Sequence, residues 1–240
     1  MTLRYAFGCA GILGRLWGGQ LMLESYLRRG VRLKWMPPRS QTSDNNGAVI
    51  PTPPLSPNPI NYDGMDDQIL ANFHANSLGL RMGQPIPYRW LSYVAGRTTT
   101  MPLAGGDVLT GPMSGCLIAT WTDGGAKVAH VGTIDNNPAA STKVKRTFAA
   151  EAGAAGDLTA FNPAAVWTPG EIAAALGTRA MGFQIYALVT GLGGYFSVLM
   201  FELPIGQGNN LAGRGFQRVV GGIKPVPVMA GVRLRAFLMS

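Results

Sequence analysis

The clearest pattern along the chain is a pair of long apolar runs, Gly182-Phe-Gln-Ile-Tyr-Ala-Leu-Val189 and Tyr195-Phe-Ser-Val-Leu-Met-Phe-Glu-Leu203, separated by Gly191-Leu-Gly-Gly194. Their aromatic and β-branched content, bounded by glycine breaks, predicts adjacent antiparallel strands. Val226 to Leu238 carries the same content and predicts a third strand. Shorter pieces, Tyr88–Val94 and Asp107–Thr110, read the same way. Helical signals are fewer. Thr168-Pro-Gly-Glu171 ahead of Ile-Ala-Ala-Ala-Leu-Gly177 is a capping box with a glycine stop. Met65–Gly79 has acids in its first turn and would turn Ile69, Leu70, Phe73 and Ser77 toward a core. The expected fold is α+β, a β-sandwich-type core of mostly antiparallel strands with a few flanking helices.

One further hairpin is predicted around Thr122-Asp-Gly-Gly125, because Asp-Gly supplies the positive φ of tight β-turns. A three-residue loop of Thr122, Asp123 and Gly124, with Gly124 left-handed, makes Trp121 face Gly125 and places Cys116 directly opposite His130. Opposed residues share a face with Cβ atoms about 5 Å apart. A two-residue loop at Asp123-Gly124 would put the two side chains on opposite faces. Beyond His130, Thr133-Ile-Asp-Asn-Asn-Pro138 reads as a turn, with Asp135 close enough in sequence to be a second candidate for orienting His130 and a solvated turn aspartate as its plainer role.

The other segments organise the chain. Residues 37–60 combine many prolines with Ser, Asn and Gly, which cannot hold a regular helix or a central strand and read as a linker or surface loop. A division follows: a basic segment over 1–36, the linker over 37–60 and a catalytic domain over 61–240. The net charge of +8 is uneven, since the first forty residues hold seven Lys and Arg against Glu24, leaving +2 for the other 200. Basicity confined to one end argues against a nucleic-acid-binding face, so no nucleic-acid partner is expected. The apolar runs of residues 1–35 are too short to span a bilayer, and Arg15 interrupts the pattern of a secretory signal. Membrane contact by this N-terminal segment, as a basic amphipathic helix, is one expectation, and a first element packed on the core is the other.

The chain has two cysteines and two histidines, and one of each falls in the predicted hairpin. Cys9 is read as structural and His74 as a helix-surface residue. A thiolate is a nucleophile, a neighbouring imidazole can take its proton and later protonate a leaving group, and backbone N–H groups at Ser114, Gly115 and Cys116 can receive an oxyanion. The plainer alternative makes Cys116 a buried strand cysteine and His130 its structural neighbour. No Cys or His cluster with metal spacing, no phosphate loop and no Gly-x-Ser-x-Gly elbow is present, so neither a metal nor a cofactor is expected.

Thr110-Gly-Pro-Met-Ser-Gly-Cys116, with His130 fourteen residues on, resembles the active-site signature of the cysteine glutamine deamidases. That group includes the catalytic domain of cytotoxic necrotising factor, Burkholderia lethal factor and, more distantly, chemoreceptor deamidases. The resemblance covers about 25 of the 240 residues, and Pro112 and Met113 depart from the pattern. It implies Cys116 as nucleophile, His130 as acid and base, and a backbone carbonyl at Thr110 orienting the imidazole. It implies hydrolysis of a glutamine side chain to glutamate in a protein substrate, by resemblance a host GTPase or translation factor.

The expected protein is therefore a bacterial toxin or effector, secreted or injected and active in a reducing host cytosol where its thiol stays reduced. Two other enzyme classes remain, a Cys-His peptidase or amidase and a transglutaminase using an amine in place of water. From a different class, a non-enzymatic β-rich binding or assembly protein also fits.

Overall fold

The computed structural model describes residues 23–27, 32–34, 49–51, 61–62, 88–103, 106–176, 182–204 and 216–240. The expected helix over 65–79, with His74, and the segment carrying Cys9 lie outside the described residues.

The architecture is α+β: two mostly antiparallel sheets stacked face to face, with helices against both outer faces and a further short helix, after a 3-10 turn, on the inward side of the larger sheet over Ile185, Leu199 and Phe201. The elements are α1 (Leu23–Leu27), β1 (Arg32–Lys34), β2 (Val49–Pro51), β3 (Asn61–Tyr62), β4 (Arg89–Leu91), β5 (Thr98–Pro102), β6 (Val108–Met113), β7 (Leu117–Thr122) and β8 (Ala126–Val131). They continue with α2 (Pro138–Ala152), β9 (Thr159–Phe161), a 3-10 turn (Pro163–Val166), α3 (Pro169–Leu176), β10 (Gly182–Val189), β11 (Tyr195–Pro204), β12 (Phe216–Pro225), β13 (Met229–Ala230) and α4 (Gly231–Met239). One sheet runs β3-β1-β12-β11-β10-β6-β4 and the other β13-β9-β7-β8-β5-β2. Only β4/β6 and β2/β5 pair in parallel among the described strands.

Alternation along the strands sorts the side chains into layers. On β10, Ala187 and Val189 face the interior between the sheets, Ile185 on the same side packs against Trp167 and Ile172, and Tyr186 and Leu188 face outward. The inter-sheet core is Leu91, Met101, Val108, Met113, Ile118, Val128 and Phe161 with their β10 partners. Leu23 and Leu27 of α1 cover the outer face of the larger sheet over Trp90, Leu109 and Tyr186. Val144 and Phe148 of α2, with Leu234 and Leu238 of α4, cover the outer face of the smaller one over Leu117, Ala119, Ala129 and Val131. Full burial of a phenylalanine such as Phe148 contributes roughly 1.5–3 kcal/mol. The helices are thus held by the sheets more than by their own propensity.

Several expectations are met directly. β10 pairs with β11 over the whole of its own length, Gly182↔Glu202 to Val189↔Tyr195. The capping box at α3 forms: Glu171 Oε2 accepts from the Thr168 backbone N–H at 2.9 Å, and Thr168 Oγ1 accepts from Glu171 N–H at 3.2 Å. Other expectations are corrected. Val226–Leu238 is not a strand. It holds the two-residue β13 and then α4, with Gly231 at φ +57 opening the helix. Its apolar and basic residues alternate like a strand, yet Leu234 and Leu238, one helical turn apart, are the pair that packs inward.

β12 starts within a Gly-rich stretch, residues 206–222, whose composition alone suits surface loops. There Gly221 and Gly222 serve packing rather than turning, since a Cβ would stand 2.1 Å from the Phe201 ring and 2.8 Å from the Trp167 ring. Residues 49–51, inside the expected linker, pair as an edge strand with β5. A proline at an edge costs no ladder hydrogen bond, which is why Pro51 is tolerated.

Candidate functional site

The motif hairpin is β7 and β8. Its register is Trp121↔Lys127 and Thr122↔Ala126, so the loop is Asp123-Gly124-Gly125. The expected partner of His130, Cys116, is replaced by Ile118, a shift of two residues. The cause lies in the turn chemistry. Thr122 stays in the strand, with its N–H and hydroxyl bonded to the Asp157 carboxylate at 3.1 and 2.6 Å. Gly124 and Gly125 take φ of +61 and +144, values that side-chain-bearing residues rarely adopt. A two-residue slip preserves facing, so Cys116, just before β7, remains on the His130 side as a diagonal neighbour rather than a direct one.

Three elements converge on His130. Thr99 of β5 is its ladder partner on one side and Ile118 of β7 on the other. From the opposite sheet, Thr110 of β6 reaches across the sandwich, its Oγ1 lying 2.7 Å from His130 Nδ1. The group that meets the imidazole is thus the Thr110 hydroxyl, where the resemblance implies a backbone carbonyl. The Tyr93 ring lies against the imidazole at 5.1 Å between centroids. His130 and Thr110 are fully buried. His130 Nε2 is buried and without a hydrogen-bond partner. That holds for either tautomer. If Nδ1 donates to Thr110, Nε2 presents a bare lone pair, the form a proton acceptor needs.

Cys116 is 3% exposed, and its sulfur accepts from Thr133 Oγ1 at 3.6 Å. No hydrogen bond joins it to His130, whose one ring contact of that kind is Thr110. Burial pushes the Cys116 thiol up; the Thr133 hydroxyl and backbone N–H oppose this, and the Asp135 charge reinforces it. Burial pushes His130 down to about 3. Tyr93 is pushed up to about 12 by burial and then by the negative charges of Cys116 and Asp135. The closed pair is therefore a neutral thiol beside a neutral imidazole.

Ser114 and Gly115 are exposed, so a short surface loop leads directly into the buried Cys116. Ser114 Oγ donates to Asp135 Oδ1 at 2.8 Å, and Tyr93 Oη donates to the Thr133 carbonyl at 3.0 Å. Asp135, considered above as an orienting group for His130, instead fastens the cysteine loop to the turn that follows β8. Breaking one exposed hydrogen bond of this kind shifts an opening equilibrium by about 1 kcal/mol, roughly five-fold. Ser114→Ala and Asp135→Asn are each expected to alkylate Cys116 with iodoacetamide about five-fold faster than wild type. Asp135→Asn alone should also move the pH–rate midpoint downward, because it removes a negative charge near the sulfur. Unchanged rates in both variants would show that the clasp does not control access.

The glycines of the motif have unequal reasons. Gly115 has ordinary room for a Cβ, whose nearest neighbour would be Thr133 Oγ1 at 3.6 Å, so close backbone approach does not explain it. Gly111 has φ +151 and a Cβ there would stand 2.5 Å from the Tyr186 ring, while the Gly111–Pro112 peptide is cis. Gly132, two residues beyond His130, is the tightest. A Cβ would lie 2.2 Å from the Val94 carbonyl oxygen and 2.7 Å from that of Arg97, both backbone atoms. Its own N–H donates to Arg97 O at 2.8 Å, so the strand cannot retreat freely. Gly132→Ala is expected to cost about 3 kcal/mol, read as a lowered urea midpoint, whereas Gly115→Ala should cost little.

Thr133, Tyr93 and Thr99 were not singled out from the sequence. Only the fold marks them, by setting Tyr93 and Thr99 beside His130 and Thr133 on the Cys116 sulfur. Among the described residues no cluster of three His, Cys, Asp or Glu side chains could hold a metal ion. Comparison of the chain with protein-family models, curated proteins and solved structures finds no match.

Proposed function

We propose that this chain is a cysteine-dependent protein glutamine deamidase, a bacterial toxin or effector that converts a glutamine of a protein partner to glutamate in a reducing cytosol. The observation that carries the reading is the placement of the imidazole. Thr110 occupies His130 Nδ1 at 2.7 Å and leaves Nε2 without a partner, on the hairpin face that also carries Cys116. The motif's resemblance to the cysteine glutamine deamidases supplies the substrate class.

Access begins with release of Ser114 from Asp135, which uncovers Cys116 and hydrates Nε2, raising its basicity from the buried value. The Cys116 proton then passes to Nε2 as the sulfur attacks the glutamine amide carbon. Backbone N–H groups at Ser114–Cys116 receive the oxyanion. Nε2–H protonates the departing nitrogen, ammonia leaves, and a thioester remains on Cys116. Water gives a proton to Nε2 and attacks the thioester, releasing glutamate and the thiol.

The experiment is a mass-spectrometric scan of a cell lysate for glutamine-to-glutamate conversion, with ammonia measured in parallel. Sites converted by wild type and unaltered by Cys116→Ser and by His130→Ala are the expected result. Peptide cleavage without conversion would move the assignment to a peptidase, and amine incorporation to a transglutaminase.

One observation favours a second reading, a non-enzymatic β-rich binding or assembly protein: Cys116 is 3% exposed and His130 0%. An absence of conversion together with a Cys116 that resists alkylation in the folded protein would establish it.

A further inference from the structure

Helix α4 is apolar on two opposite faces. Leu234 and Leu238 point inward at 1% and 0% exposure. Val232, Ala236 and Met239, spaced i, i+4, i+7, form a second stripe roughly opposite, and Val232 and Met239 are 85% and 57% exposed. Helical geometry places Arg235 on one flank of that stripe and Arg233 on the other. Four of the six exposed large apolar side chains among the described residues fall within Val228–Met239. Such clustering on a protein surface marks an interaction site rather than the ordinary scatter of exposed aliphatics.

Helices α2 and α4 carry more cations than acids, Lys143, Lys145, Arg146, Arg233 and Arg235 against Glu151. Residues 226–240 contain no acid, and α2, which packs beside α4, has none before Glu151. Lys145 Nζ sits 4.9 Å from the Phe237 ring centroid, and Arg146 donates to the Met239 carbonyl at 3.2 Å, so two more cations border the stripe.

We propose that the outward face of α4 is a peripheral membrane-contact surface for anionic phospholipid, with Val232, Ala236 and Met239 entering the interface between the flanking Arg233 and Arg235. The layout matches what an interfacial helix needs: an apolar stripe that enters the headgroup boundary, and long cationic side chains on both sides that reach the phosphates. An acidic protein partner would answer the charge equally well, but a stable protein interface buries about 800 Å² per partner. The ridge of one nine-residue helix, about 14 Å long, is convex and narrow. A plane of lipid accommodates such a ridge without a complementary groove. No helix among the described residues is long and apolar enough to cross a membrane, so contact through α4 is peripheral.

The test is co-sedimentation of the full chain with phosphatidylcholine vesicles, with and without phosphatidylserine. The double variant Val232→Ser, Met239→Ser keeps the charge and alters exposed side chains. Arg233→Gln and Arg235→Gln remove one cation each, and Leu192→Ser, at an 85% exposed site elsewhere, is the control. Wild type should partition onto phosphatidylserine vesicles and far less onto phosphatidylcholine alone. The double variant should bind about ten-fold more weakly, each arginine variant about five-fold, and the control should match wild type. Partitioning that ignores the double variant would place any lipid contact elsewhere, for instance in the basic segment 1–36, and overturn the proposal. So would failure of the monodisperse wild type to bind phosphatidylserine vesicles, including the case where it is retained on polyglutamate, which would assign an acidic protein ligand instead.

Discussion

Cys116→Ser is expected to reduce ammonia release from the converted substrate by a factor on the order of 10⁴ or more while the protein stays folded. The sulfur is the attacking atom of the proposed acylation and carries the thioester that water then hydrolyses, and no other thiol lies among the described residues to replace it. A serine hydroxyl is far less acidic than a thiol, and the site carries no charge relay to ionise it, since the group on His130 Nδ1 is the neutral Thr110 hydroxyl rather than a carboxylate. The exchange is nearly isosteric, and the new hydroxyl can pair with Thr133 Oγ1 where the thiol does. The stability cost should stay near 1 kcal/mol, readable as a small shift in the thermal midpoint. Activity lost with the midpoint nearly unmoved separates chemistry from folding. Activity retained would remove Cys116 from the mechanism.

Acid lability is the second large effect. His130 is fully buried and neutral in the folded chain, titrating at about 3, while an unfolded histidine titrates near 6.5. A depressed folded value means that the unfolded chain binds the proton first. Above about pH 6.5 both states are neutral and stability is undiminished. As pH falls from 6.5 toward 3, the unfolded state gains the proton alone and stability drops by about 1.4 kcal/mol per pH unit, on the order of 5 kcal/mol in all. Below about 3 both states are charged and this contribution stops changing. Urea melts of wild type and His130→Gln across pH 7 to 3 isolate the effect, because His74 and the carboxylates are common to both. The wild-type curve should fall more steeply through this window. Parallel curves would mean that His130 is solvated, contrary to its place between the sheets.

Much of this fold was legible because some segments obey a single local rule. β10 and β11 are continuous apolar runs with a glycine turn, and nothing competes with strand there. At α3, Thr168 and Glu171 stand at the spacing that lets each cap the other. At β12 and α4 the same residue types serve two purposes, and at α2 the signal is weak. Gly221 and Gly222 read as loop residues but make room for the Phe201 and Trp167 rings, a fact of packing invisible to local pattern. α2 shows only Val144, Phe148 and Ala152 on its buried side, a stripe too thin to stand out from its polar neighbours. In α4 a helix with apolar side chains on both faces mimics the alternation of a strand.

The site divides the same way. That Cys116 and His130 share a face followed from Asp-Gly and strand alternation, and the two-residue shift in register left that conclusion intact. Which of Gly124 and Gly125 would turn the chain depended on Asp157, thirty-five residues beyond Thr122, holding that threonine in the strand. Thr110 was within reach by resemblance, but its contact through a hydroxyl from the opposite sheet is a product of how the two sheets stack. Thr133, on the thiol, and Asp135, on Ser114, acquire their roles only through the return of the chain after β8.

The most direct measurement of the central claim, that Cys116 is a nucleophile assisted by His130, is labelling by a glutamine-shaped electrophile. The folded wild type and His130→Ala would be incubated with the diazoketone analogue of glutamine, and the modified residue mapped by mass spectrometry. One label per chain on Cys116, forming at least about 100-fold more slowly in His130→Ala, is the predicted result. A folded wild-type protein that leaves Cys116 unlabelled, or equal rates in the two proteins, would contradict it.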